Sequence, residues 1–290
     1  MGKRGSSLRR GMVNRGNLRA GAINWLLTLP YFILAVCFLA LPLAALIVIS
    51  FGHGLDSLRE VVSNGLYFEG FRNSFILSCF VTVEASLAGA VISVLWAKRL
   101  PRHGWFLSLL NFGASNGGIS LAFAIVATLG TNGFLTLILR MFGIELYPEF
   151  NIVSITGLNF AYLCFLIPYM ALLFLPAAAN VREEWWMAAQ VLGANRPKYI
   201  ANVVLPVLWP SFISSACLVF LTSLGTYATA QAISADRVNL ITLQIGYLMQ
   251  TSIFHQEDAY TISMLLVAVM AVIVLFYRKA NRKAERWLKN

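Results

Sequence analysis

Six long apolar runs divide this chain, and polar residues gather in the short stretches between them. The runs cover residues 25–50, 73–97, 105–129, 152–178, 209–232 and 259–277. Each reaches the ~20 residues that a helix needs to cross a bilayer core. The pattern therefore predicts an all-α integral membrane protein with six transmembrane helices. Pro30 or Pro42 predicts a bend in the first of them. Two further apolar segments, 133–143 and 238–250, are too short to cross. They read as short helices packed at the outer interface or against the spans, with docking of an extracytoplasmic partner as the other reading. Residues 1–24 are rich in Gly, Arg and Asn without apolar periodicity, which predicts a disordered basic tail. The run that follows is too long for the apolar part of a signal peptide, and no small-residue cleavage site comes after it.

The stretch 180–210 lies between the fourth and fifth runs, yet it is patterned as helix rather than linker. Asn180 stands as a cap with Glu183 three residues on, as in a capping box. Glu183 and Glu184 fall in the first turn, where the helix dipole favours negative charge. Gly193-Ala194 ends that helix, because glycine takes the left-handed cap conformation freely. Pro197 suits the first turn of a second helix running towards Leu205 and Pro206. This predicts a helix-turn-helix elbow whose small residues, Ala188, Ala189 and Gly193, let another surface approach closely.

Composition supports the membrane reading and excludes a soluble domain: 59% of the 290 residues are hydrophobic and 12% charged, with a mean hydropathy of +0.73. The net charge of +10 does not point to nucleic acid, because the basic residues cluster at the ends of apolar runs. Eighteen of the 22 lie in the 1–24 tail, the 98–102 turn, the elbow and the 278–290 tail. Arg59, Arg72, Arg140 and Arg237 are the exceptions. The positive-inside rule then places both termini and the elbow in the cytoplasm.

Catalytic chemistry is not indicated. His53, His103 and His255 sit in different loops without metal-ligand spacing. Cys37, Cys79, Cys164 and Cys217 fall one to a span and read as packing residues rather than ligands or disulfide partners. The sequence has no Gly-rich phosphate loop with its lysine, so neither a cofactor nor a resident ATPase is expected. Glu84 is the only acidic residue deep within a run, where charge costs at least ~2.5 kcal/mol unless it faces protein or water. It is read either as a pathway residue or as a structural hydrogen-bond partner. In the fifth run Ser211, Ser215, Thr222, Thr226 and Thr229 form a polar stripe. That stripe is read either as helix-packing surface or as the lining of a hydrophilic path.

The elbow resembles the signature loop of permease subunits of binding-protein-dependent type I ABC importers. The signature is Glu-Ala-Ala, three residues, Gly, nine residues, Ile, one residue, Leu-Pro. Ala188, Ala189 and Gly193 match it, Val203 stands at the isoleucine position, and Leu205-Pro206 close it. Met187 replaces the glutamate, with Glu183 and Glu184 one helical turn away on the same side. The resemblance extends over residues 71–277 as a five-helix core, to which 25–50 adds a first span. Features of the external segment and of Ser223-Leu224-Gly225 resemble most the polyamine, iron, thiamine and phosphonate branch. It implies a subunit that moves a small polar solute, with Glu183, Glu184, Met187, Ala188, Ala189, Gly193, Val203, Leu205 and Pro206 docking the ATPase. Implied partners are two ATPase copies, a second permease subunit (a different chain, with a second copy as the alternative), an extracytoplasmic binding protein and the lipid of the cytoplasmic membrane. An ion-coupled secondary transporter is the alternative, though no inverted repeat of broken helices supports it. A membrane-embedded enzyme is a third, lacking an acid-base pair.

Overall fold

The structure is a computed structural model that describes residues 28–52, 56–97, 104–147, 150–235, 237–251 and 256–289. The 1–24 tail and the three histidines lie outside the described residues. Among those described, every regular element is a helix. Helix α1 spans Thr28–Gly52 and forms a unit separate from the rest of the chain. Its ladder widens to a π-turn at Val36–Ala40, where the Leu41 N–H donates to the Val36 carbonyl. Pro42, which has no N–H to give, follows directly.

The second unit begins with the short α2 (Asp56–Ser63) and the long α3 (Gly65–Ala97). Next come α4 (Gly104–Ser115), α5 (Ile119–Leu129), α6 (Phe134–Met141) and α7 (Ile155–Ala179). The elbow helix α8 (Glu183–Val191) leads to α9 (Arg196–Gly225), α10 (Ala228–Ser234), α11 (Ile241–Thr251) and α12 (Gln256–Lys289). Six stretches are long and apolar enough to cross a membrane: Thr28–Gly52, Gly65–Ala97, Ile119–Met141, Ile155–Ala179, Arg196–Gly225 and Gln256–Lys279.

The core is built on α7, whose N-terminus is capped by the Ser154 hydroxyl accepting from the Gly157 N–H. It packs most extensively on α3, and also on α4 and α9. At Gly89 a Cβ would lie 2.7 Å from the Met170 side chain, so only glycine lets α3 and α7 approach this closely. One turn on, the Ser93 hydroxyl reaches the Ala171 carbonyl at 2.8 Å. Leu158, Tyr162, Leu166 and Met170 are the largest buried side chains of this seam.

Two of the six apolar runs differ from expectation. The 105–129 run is not one helix but α4 and α5, interrupted at 116–118. Gly118 sits at φ 82°, ψ −148°, a region open essentially to glycine alone. Its N–H, lost to the helix ladder, donates to Thr229 Oγ1 at 2.9 Å. The fifth run also divides, because the helix ends at Gly225 and Thr226 is extended. The two short segments expected outside the spans, 133–143 and 238–250, are helical, as α6 and α11. However, α6 falls within the Ile119–Met141 stretch that is long enough to cross, so the third span is shifted from the expected 105–129 run. The 278–290 tail continues α12 as far as Lys289.

Candidate functional site

The elbow forms at the predicted place, with one change at its entrance. Asn180 does not cap α8; it closes α7, donating its N–H to the Ala177 carbonyl at 3.2 Å. The cap position of α8 falls to Arg182, which makes no side-chain cap bond. Glu183 and Glu184 do occupy the first turn, where they complement the dipole. At the far end the Gly193 N–H donates to the Gln190 carbonyl and the Ala194 N–H to the Ala189 carbonyl, both at 2.9 Å. This paired closure requires a left-handed residue between them, and Gly193 supplies it at φ 76°. Asn195 then caps the next helix by accepting from the Lys198 N–H at 3.1 Å, with Pro197 in its first turn.

From Arg196 the helix runs without interruption to Gly225. It passes through a π-turn at Ile200–Val204, where the Leu205 N–H donates to the Ile200 carbonyl. Pro206 and Pro210, neither with an N–H to give the ladder, lie just beyond, and the wider turn stands directly before the first of them. The second arm of the elbow and the fifth span are therefore a single rod. The two arms are also tied by side chains: the Trp186 and Tyr199 rings lie 5.2 Å apart, and the Arg196 guanidinium stands 5.8 Å over the Trp186 ring. An open cavity of ≈ 320 Å³ lies behind this contact, lined by Val94, Ala97, Glu183, Trp186 and Arg196 among others.

The two faces of α8 are unlike. Trp185, Trp186 and Ala189 are half-buried, whereas Glu184, Met187, Ala188 and Val191 are exposed at i, i+3, i+4 and i+7. Met187 is 54% exposed, Val191 88% and the adjoining Leu192 86%. Large apolar side chains this open on a short helix form an exposed apolar patch. Val191 and Leu192 are additions to the sequence-derived set; the signal was a four-residue spacing, Val191 from Met187 and Leu192 from Ala188. A Cβ on Gly193 would meet no atom within 4 Å, so the tip of the elbow is open to an approaching surface. Val203 is half-buried, and Leu205 and Pro206 are exposed.

The residues read as a possible pathway separate into different environments. Glu84 is exposed on α3 and accepts from the Asn159 amide of α7 at 2.8 Å. Ser215 is buried. Thr222 and Thr226 return their hydroxyls to the carbonyls of Leu218 and Thr222. Thr229 does not continue the stripe; it lies on α10, fully buried, bonded to the Gly118 backbone. The Thr226 carbonyl, freed where α9 ends, accepts from the Tyr162 and Thr242 hydroxyls. An exposed polar row that the sequence reading passed over runs along the interrupted helix: Ser108, Asn111, Ser115 and, past the break, Ser120. The signal for it was their spacing within the 105–129 run.

Among the described residues no group of three His, Cys, Asp or Glu side chains could hold a metal. All four cysteines are free; Cys79 and Cys217 are half-buried, and Cys37 and Cys164 are exposed.

No family model matches the chain. It is 24% identical over 232 residues to the putative 2-aminoethylphosphonate transport system permease protein PhnU of Salmonella typhi, covering 77% of this chain and 76% of that one. It is also 24% identical over 255 residues to the sulfate transport system permease protein CysT of Salmonella typhimurium, covering 86% and 89%. A bacterial ABC transporter involved in import of the acidic polysaccharide alginate superposes with a TM-score of 0.72 at 17% identity, covering 92% of this chain and 98% of that one. The relatives of this chain are thus ABC transport system permeases, and its fold is that of a transmembrane subunit of an ABC importer.

Proposed function

We propose that this chain is the permease subunit of a binding-protein-dependent ABC importer and moves a small polar solute across the cytoplasmic membrane. The observation that carries the reading is the elbow: a stiff helix outside the spans, apolar on its open face and joined through Arg196 to a single rod that becomes the fifth span. Force applied to α8 must be transmitted to α9, because the two arms are closed by backbone bonds at Gly193 and by the Trp186–Tyr199 contact. That geometry suits a separate ATPase pair that closes on ATP and tilts the membrane helices.

Two ATPase copies, an extracytoplasmic binding protein and a second, non-identical permease chain complete the assembly in this reading. Both termini and the elbow face the cytoplasm, as the distribution of basic residues requires. Residues 71–277 act as the transporting core, with α1 an added span. The solute belongs to the polyamine, phosphonate, thiamine or iron-type class. The relative named for 2-aminoethylphosphonate supports that range, and the one named for sulfate keeps it wide. The polar lining comes from Thr222 on α9 and Thr226 just past its end, together with the exposed row on α4 and α5, while Ser215 is buried. Thr229 serves the fold instead, holding the break at Gly118.

The test is the energy source. In vesicles holding the complete complex and its binding protein, uptake should require internal ATP and persist when the proton gradient is collapsed. Uptake that follows the gradient and ignores ATP would replace this reading with an ion-coupled transporter.

A further inference from the structure

The outward face of α3 carries Phe80, Val83, Leu87 and Val91, all exposed, and in their midst a single carboxylate, Glu84. Glu84 stands near the middle of the 73–97 run, so this is the depth at which lipid is least able to solvate a charge. Among the described residues it accepts one hydrogen bond, from the Asn159 amide at 2.8 Å. The other end of that amide, Asn159 Oδ1, is shielded and accepts none, so Asn159 is held with its donor turned to the carboxylate. One neutral donor leaves most of the acceptor capacity of a carboxylate unfilled. An apolar helix face with one polar group at its centre is the pattern that fixes pairing between helices, because only a partner with the matching group fits.

A second copy of this chain brings no Lys or Arg to this depth. Along α3 the nearest basic residue is Arg72, twelve residues and thus about 18 Å away. Among the described residues, every other Lys and Arg also lies towards the ends of the spans or outside them. We propose that the Glu84–Asn159 face of α3 and α7 is covered by a transmembrane helix of a second permease chain of different sequence, which presents a Lys or Arg at mid-membrane depth, and that Glu84 selects that chain over a second copy of this one. This inference rests on the importer reading above and deepens it by naming the pairing surface.

Replacing Glu84 tests it in the complete transport system, with this chain tagged. The wild type should purify with its ATPase and a second permease of different sequence. Glu84→Leu should reach the membrane in wild-type amount but recover at least tenfold less of that second permease, and Glu84→Gln, which keeps a polar group, should lose less. If Glu84→Leu recovers the second permease undiminished, the face meets lipid and the inference fails while the importer reading stands. Recovery of two copies of this chain without a different permease overturns it as well. A photo-reactive residue at Leu87 in the otherwise wild-type chain guards against misfolding of the variant. It should form an adduct with the second permease, at a peptide containing a mid-membrane Lys or Arg. An adduct with a second copy, or none with protein, contradicts the proposal. Fast reaction of Leu87→Cys with an impermeant thiol reagent would also overturn it, by making the face a water-filled path.

Discussion

Gly193 shows how much one residue can settle. Its left-handed backbone closes α8, and a Cβ at that position would meet nothing in the chain. The penalty of Gly193→Ala is therefore backbone strain alone, about 1 kcal/mol. Amide exchange at Ala194, whose N–H completes the closure, should speed up roughly fivefold, with membrane levels unchanged. Exchange equal to wild type would mean that the cap does not hold the elbow. This position was legible because a glycine after an amphipathic turn has few other uses. Asn180 was not legible: the last residue of α7 and the first cap of α8 compete for the same short polar stretch, and Arg182 takes the second role without a side-chain bond. Thr229 was misread for a related reason. Helical spacing from Thr222 and Thr226 implied one face, but the chain turns extended at Thr226 before reaching it.

At the scale of elements, length and hydropathy were enough to find the apolar runs but not to show where they are interrupted. Gly117-Gly118 was the available sign that α4 and α5 are separate helices. It was masked because both halves stay apolar, and because the partner that makes the break tolerable, Thr229, lies 111 residues away. The end of α9 at Gly225 is likewise set from a distance, by hydroxyls of Tyr162 and Thr242 that occupy the freed Thr226 carbonyl. The continuity of the elbow with the fifth span was easier to see. Pro206 and Pro210 lie where a helix would break, yet the π-turn at Ile200–Val204 carries the rod past them. The exposed patch on α8 was half legible, since Ala188 and Ala189 matched a known spacing while Val191 and Leu192 showed their exposure only in three dimensions.

For the whole molecule, the basic residues make a prediction that the fold does not. If both termini and the elbow face the cytoplasm, cysteines placed at Glu145 and Arg237, in a background without the native four, should react with an impermeant reagent added outside intact cells. A cysteine at Gln190, exposed on the elbow, should react only after the membrane is opened. Reaction in the reverse sense would invert the orientation and remove the elbow from the ATPase. The central claim is that the elbow couples ATP hydrolysis to transport. Its most direct test is Gly193→Glu, assayed in vesicles for ATP hydrolysis and uptake with and without loaded binding protein. The account predicts normal insertion and permease pairing, no uptake, and hydrolysis that is either lost with the ATPase or no longer responds to the binding protein. Normal uptake by Gly193→Glu with the ATPase bound would contradict it.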